Sequence, residues 1–205
     1  MKVLILNGSP RKDGNSKCLI NEAIKVFEQE GIEYNVVEVG SKAIRGCAAC
    51  GYCAKNGKCV FDDGVNEAAQ LFTEADGLIV ASPVYYASAN GTLVSFLDRM
   101  FYSCHCDKRM KVGAAFAVAR RAGTTATFDE LNKYFTINQM PIASGTYWNN
   151  GFGGAKGQAL EDAEGLQTAR VVAKNMVFLM KSIALGKEKY GLPDPEQKVF
   201  TNFIR

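Results

Sequence analysis

The chain has 205 residues, of which 47% are hydrophobic and 22% charged, and a formal net charge of +3. That length suits one domain with a substantial core, and the mild charge, with Lys and Arg scattered along the chain, argues against a nucleic-acid partner. No run of about 18 apolar residues is present, so no membrane span is expected, and the opening MKVLILNGSP lacks the apolar length and cleavage site of a secretory signal.

In chain order, Lys2–Leu6 (KVLIL) reads as a near-continuous apolar strand buried on both faces. Ser16 is placed to cap a helix to about Glu30, with Leu19, Ile20, Ala23, Ile24 and Phe27 on one face and Gly31 as its stop. Glu33–Val39 reads as a second strand, and Gly40–Asp63 as a long loop. Val65–Glu74 reads as helix and Gly77–Ser82 (GLIVAS) as a third strand. Leu93, Phe96, Leu97 and Met100 predict a helix over Gly91–Tyr102. Lys111–Ala119 is a fourth strand, Phe128–Phe135 is amphipathic, and Pro141–Ser144 is a short fifth strand. Leu166, Ala169, Ala173, Met176, Met180 and Ile183 form one stripe of a long helix over Glu161–Ala184. The polar remainder, from Leu185 with Pro193 and Pro195, reads as a tail on the surface or on a partner subunit. The expected organisation is one domain over residues 1–185, with a Cys-rich loop at 46–60, and a tail over 186–205.

Five strands alternating with five helices predict an α/β fold: an open, doubly wound parallel sheet with helices on both faces. Such sheets bind ligands outside the carboxyl ends of their strands. Five loops fall on that rim: Asn7–Ser16, Gly40–Asp63, Pro83–Asn90, Arg120–Thr124 and Gly145–Gly157.

The first loop joins a buried strand to a helix N-terminus, where free N–H groups and the dipole favour an anion. Ser9, Asn15 and Ser16 add neutral donors and Arg11 adds charge. The loop matches neither the P-loop nor the G-x-G-x-x-G pattern. A hydroxyl-rich, lysine-poor cradle suits a monophosphate such as that of FMN; a plain strand–helix turn is the simpler reading. The third-strand loop, Pro83-Val84-Tyr85-Tyr86 through Asn90, offers aromatics and small polar groups to a planar ring, or is an ordinary aromatic loop.

Four cysteines lie within 13 residues, as Cys47-x2-Cys50-x2-Cys53-x5-Cys59. Two successive short spacers are the habit of iron–sulfur ligation, and Gly46, Gly51 and Gly57 let the backbone bend around a 4Fe–4S cluster. Structural zinc, which favours separated pairs of cysteines, and free thiols are the alternatives. Without a secretory signal, the seven cysteines imply a reducing cytoplasm. Other candidates have plainer explanations. His105, between Cys104 and Cys106, reads as a helix-end surface residue, and Cys18 as core. Asp62 and Asp63 read as caps of the following helix. Arg120 and Arg121 are either a solvated pair or a contact for a nicotinamide dinucleotide. One histidine leaves no scope for a Ser/His/Asp arrangement.

Gly8-Ser9-Pro10-Arg11 through Asn15-Ser16, then Pro83-Val84-Tyr85-Tyr86, then Gly91-x5-Leu97-Asp98-Arg99, resemble the flavodoxin-like NAD(P)H-dependent FMN reductases. The cysteine loop is similar to that of the iron–sulfur flavoproteins in that superfamily. The resemblance covers residues 1–185. It implies a flavodoxin-like five-stranded sheet of order 2-1-3-4-5, FMN on the strand rim, and a homodimer or homotetramer. It places Ser9, Arg11, Asn15 and Ser16 on the FMN phosphate and Pro83, Val84, Tyr85 and Tyr86 beside the ribityl chain and ring. Arg120, Gly123, Thr124 and Trp148 would close the pocket, and Cys47, Cys50, Cys53 and Cys59 would hold the cluster.

The expected function is a cytoplasmic FMN oxidoreductase coupling the flavin to a 4Fe–4S cluster, with NAD(P)H as donor and a small-molecule or protein redox partner. No protein side chain is required as acid or base, because the flavin carries the chemistry. The alternatives are a cluster-free NAD(P)H-dependent reductase of FMN or quinones, a flavodoxin-type electron carrier, and a thiol or zinc sensor without flavin.

Overall fold

The structure, a computed structural model, describes residues 1–204. Strand β1 (Lys2–Asn7) leads into helix α1 (Asn15–Gln29), and β2 (Glu33–Glu38) into the short α2 (Tyr52–Asn56) and α3 (Val65–Glu74). Strands β3 (Gly77–Tyr85) and β4 (Ser88–Ala89) precede α4 (Gly91–Ser103). Then come β5 (Val112–Ala119), α5 (Thr124–Thr136), β6 (Asn150–Phe152), a 3-10 turn at Gln158–Glu161, and α6 (Ala163–Tyr190).

The sheet runs β2-β1-β3-β5-β6 with every neighbouring pair parallel, and β4 folds back antiparallel on the end of β3. With the small β3–β4 hairpin set aside, this is the expected flavodoxin-like order. The period of two along the central strands sorts their side chains into two core layers. Val3, Ile5, Ile79, Ala114 and Phe116 pack with α1 and α6 on one face. Leu4, Leu6, Leu78, Val80 and Ala115 pack with α3, α4 and α5 on the other. This burial of both faces explains the unbroken apolar runs of β1 and β3.

Three expectations need correction. The fifth strand is not Pro141–Ser144. Ile142 makes a single parallel bridge to Gly113, the chain then leaves the sheet, and it returns as β6 beside Ala117–Ala119. β6 (Asn-Gly-Phe) has one apolar residue, and its Gly151 sits where a Cβ would lie 2.7 Å from Leu19. Its burial therefore comes from close approach to α1 and leaves no apolar pattern. Ser16 does not cap α1: Gly14 takes that position, in extended conformation and without a side-chain cap. Helix α6 continues to Tyr190, past the expected start of the tail, because Leu185–Tyr190 contains no helix breaker other than one tolerated glycine. No helix among the described residues is long and apolar enough to cross a membrane.

Candidate functional site

The ends of β1, β2 and β3 are stitched together at the rim. Gly8 N–H donates to Ala81 O at 2.7 Å, and Val39 N–H donates to Asn7 O at 2.8 Å. Buried Asn7 donates to Glu38 at 2.7 Å and accepts from Ser9 N–H at 3.1 Å. Backbones come so close that a Cβ on Gly40 would lie 2.2 Å from Gly8 O. The loop after β1 is thus fixed before any ligand arrives.

Ser9 Oγ closes that loop on itself, accepting from Arg11 N–H at 3.2 Å and donating to Arg11 O at 3.0 Å. Asn15 fastens a distant segment: its amide donates to Gly153 O and Ala155 O at 2.8 and 2.9 Å, and its oxygen accepts from Ala159 N–H at 3.2 Å. Its side chain therefore organises the loop before the 3-10 turn. Ser16 Oγ is buried and has no hydrogen-bond partner. Arg11 is exposed. With no side chain capping α1, the N–H groups of Asn15 and Ser16 remain available to an anion, while that of Lys17 is taken by Gly14 O at 2.9 Å.

Residues 83–90 form a tight hairpin. Tyr86 and Ala87 at its tip both have positive φ, +51° and +60°, as a two-residue turn matched to strand twist requires. Such a conformation is costly for a tyrosine. Other bonds hold it: Glu130 of α5 accepts from Ser88 Oγ and Ala89 N–H, both at 2.8 Å. Ser82 Oγ donates to Pro83 O at 2.8 Å and accepts from Asn90 N–H at 2.9 Å.

Ser9, Arg11, Asn15 and Ser16 share one cavity of about 160 Å³ with Pro83, Val84, Tyr85 and Arg120. Gly153 and Gly154, which the sequence did not single out, form its far wall. Tyr86 is fully exposed beside this cavity and does not line it. Gly123 packs against Val84 and Ala87 from behind, and Thr124 is buried at the start of α5. Trp148 is half-exposed, edge-on to Tyr147 with ring centroids 4.8 Å apart, and lies outside the cavity.

Cys47, Cys50, Cys53 and Cys59 line a second, larger cavity of about 630 Å³. Gly51 and Gly57 bracket α2 in left-handed conformation, so the chain turns sharply on both sides of Cys53. Phe61, Phe101, Tyr134 and Ile137 supply apolar walls. Among the described residues, no three His, Cys, Asp or Glu side chains converge in a ligating arrangement. Cys59 is the best anchored of the four thiols. Asn66 accepts from its N–H at 2.8 Å and donates to its carbonyl at 3.0 Å. Arg99 Nε donates to its Sγ at 3.3 Å.

Arg99 is the site residue whose role the sequence concealed. Its side chain is 1% exposed, and Asp63 faces it at 2.5 Å. Burial works against its charge, but hydrogen bonds to Asp63 and Cys59 outweigh burial and hold its pKa above the ordinary arginine value. Asp63 therefore serves Arg99, and the cap of α3 is Gly64. Asp62 does not cap α3 either. His105 lies against the cysteine loop, its Nδ1 3.8 Å from where a Gly57 Cβ would be. Cys18 is buried, as expected of a core residue.

A family model described as NADPH-dependent FMN reductase matches residues 1–154. An iron–sulfur flavoprotein of Methanocaldococcus jannaschii is 34% identical over 191 residues, covering 89% of this chain and 99% of that protein. One from Methanosarcina thermophila is 31% identical over 194 residues, covering 92% and 100%. Among solved structures, a flavodoxin from the domain Archaea superposes with a TM-score of 0.57 at 15% identity, covering 86% of this chain and 99% of that one. The apo form of an NADH:FMN oxidoreductase superposes with a TM-score of 0.60 at 19% identity, covering 88% and 89%. The structural likenesses establish the fold.

Proposed function

The chain belongs to the NADPH-dependent FMN reductase family, within its iron–sulfur flavoprotein type, and from that premise we propose that it couples FMN to a 4Fe–4S cluster held by Cys47, Cys50, Cys53 and Cys59. The protein is a flavin-dependent oxidoreductase. FMN, when bound, takes a pair of electrons as hydride and a cluster passes electrons singly, so together they join an NAD(P)H-class donor to one-electron acceptors.

The observation that carries the flavin assignment is the buried, partnerless hydroxyl of Ser16 in the cavity at the uncapped N-terminus of α1. A buried donor without a partner is costly unless a ligand satisfies it, and a phosphate oxygen fits both the hydroxyl and the free N–H groups. In this reading Ser9 keeps the loop shaped, Arg11 screens the phosphate charge, and Asn15 holds the Gly153–Ala159 wall in place. Pro83, Val84 and Tyr85 give the ring a flat apolar edge. Gly123 and Thr124 support that edge from α5, and Arg120 offers charge to the phosphate of the nicotinamide donor. Tyr86 and Trp148, exposed in the single chain, are completed by a second copy in a dimer or tetramer.

The donor set of the second cavity suits a four-thiolate cluster: four cysteines on one loop, left-handed glycines around Cys53, apolar walls, and a hydrogen bond from Arg99 to one sulfur. The relatives named iron–sulfur flavoproteins support the same reading. Arg99 supplies a donor to the Cys59 sulfur, and Asn66 fixes the backbone that carries it.

The exposure of Cys47 and Cys50 favours a second reading, a cluster-free NAD(P)H-dependent reductase of FMN or quinones. Anaerobic addition of NADPH or NADH to wild type and to Cys50→Ser separates the two. The cluster reading expects flavin bleaching in both, with the brown colour and one-electron acceptor activity lost in Cys50→Ser. Unchanged colour and activity in the variant would favour the cluster-free enzyme. No bleaching in either protein would count against NAD(P)H as donor and leave a flavodoxin-type carrier.

A further inference from the structure

Cys104 and Cys106 lie outside both cavities described above, where α4 ends in the Cys104-His105-Cys106 turn. Their sulfurs are 3.2 Å apart, about 1.2 Å more than a disulfide bond. Cys104 is 4% exposed and Cys106 is half-buried. Lys108 folds back over the turn, its ammonium donating to the carbonyl of Cys104 and, at 3.5 Å, to that of Cys106. Thr73 Oγ1 approaches Cys104 Sγ to 3.6 Å. The hydrogen bond between the sulfurs lowers the Cys104 pKa to about 5 against the effect of burial and, together with burial, pushes Cys106 well up. At neutral pH the pair therefore holds one proton between two sulfurs, and the thiolate character that exchange requires is present.

We propose that Cys104 and Cys106 are a redox-active dithiol that closes to an intramolecular disulfide on reaction with low-molecular-weight disulfides. Cys106, the accessible sulfur, passes its proton across the sulfur–sulfur hydrogen bond to Cys104 as it attacks one sulfur of the reagent. A mixed disulfide forms and the first thiolate leaves. Cys104, beyond the reagent's reach but beside Cys106, then attacks Cys106 Sγ. The Cys104–Cys106 bond forms, the mixed disulfide breaks, and the second thiolate leaves. The pair's one proton ends on the first released thiolate, the second released thiolate takes its proton from water, and two electrons pass from the cysteines to the reagent. The assignment does not depend on the flavin or on the cluster.

The test uses the full chain as purified, incubated with mixtures of reduced and oxidised glutathione, alkylated and digested with trypsin. Cleavage at Arg99 and Lys108 releases Met100–Lys108, which contains both cysteines and no other. As oxidised glutathione rises, the doubly alkylated peptide should give way to an unalkylated peptide lighter by two hydrogens, and dithiothreitol should reverse the change. Cys106→Ser should abolish the lighter peptide and leave Cys104 free of glutathione. A peptide that stays doubly alkylated at every ratio, or that ends as a stable glutathione adduct on Cys106, overturns the proposal. The wild-type measurement decides the matter even if the variant folds poorly.

Discussion

Asp63 grips the buried guanidinium of Arg99 at two points, 2.5 and 2.9 Å, while the same guanidinium donates to the sulfur of Cys59. An acidic residue ahead of α3 thereby steadies a cysteine through a side chain of α4. Asp63→Asn leaves a buried positive charge without its counter-ion, and such losses cost about 2–4 kcal/mol where one partner retains some exposure. A urea midpoint that falls accordingly, with lower iron content in the purified variant, is the expected result. An unchanged midpoint would mean that Arg99 needs no partner there.

Ser16→Ala should separate binding from folding. Removing a buried hydroxyl that has no partner leaves the stability of the flavin-free protein unchanged or slightly higher. The FMN dissociation constant should rise about 5- to 20-fold, or roughly 1–2 kcal/mol, if that hydroxyl meets the phosphate. Fluorescence titration of the apoprotein with FMN measures the second effect and thermal melting the first.

Gly40→Ala should damage the same site from outside it. The new Cβ would lie within 2.3 Å of the Gly8 and Ser9 backbone, which no side-chain motion can relieve. Overpacking of this kind costs about 1–3 kcal/mol, and displacement of the loop after β1 should lower FMN affinity by more than Ser16→Ala does. Denaturant unfolding and the FMN titration together check it.

The α1–α6 contact carries an acid-sensitive element. Glu22 is buried between Lys25 and Arg170. Burial raises its pKa, but hydrogen bonds and charge from Lys25 and Arg170 outweigh burial and leave it lowered. A lowered carboxylate contributes stability that is complete above the ordinary glutamate value of about 4.3 and disappears as pH falls through the native value. Glu22→Gln should lose about 1 kcal/mol at neutral pH, a figure reduced because both cationic partners are exposed. Its stability should then change less than that of wild type between neutral and acid pH. Urea midpoints measured from neutral pH down to about 3 test the sign.

The sequence shows the fold wherever burial on two sides imposes long apolar runs, as in β1, β3 and β5, and wherever a helix presents one apolar stripe, as in α4. It hides β6, where Asn150 and Gly151 are buried through the fit of Gly151 against Leu19 and the one apolar residue, Phe152, is exposed. The cavity loop after β1 is legible as a candidate anion cradle because the signal is local: a strand end, small polar residues and a helix start. Arg99 and the Gly153–Gly154 wall are not, because their positions depend on contacts with Asp63 and Asn15 that are remote in sequence. Helix α4 reads as an ordinary amphipathic helix, and nothing in its spacing reveals that one charged residue turns inward.

The central claim, a flavin paired with a cysteine-bound cluster, is tested most directly by assaying iron, acid-labile sulfide and FMN in one sample purified without oxygen, alongside its visible spectrum. The account predicts about four irons and four sulfides per FMN, with broad absorbance beneath the flavin bands. Flavin bands with neither iron nor sulfide would contradict it and leave Cys47, Cys50, Cys53 and Cys59 as a thiol loop on a simple FMN reductase.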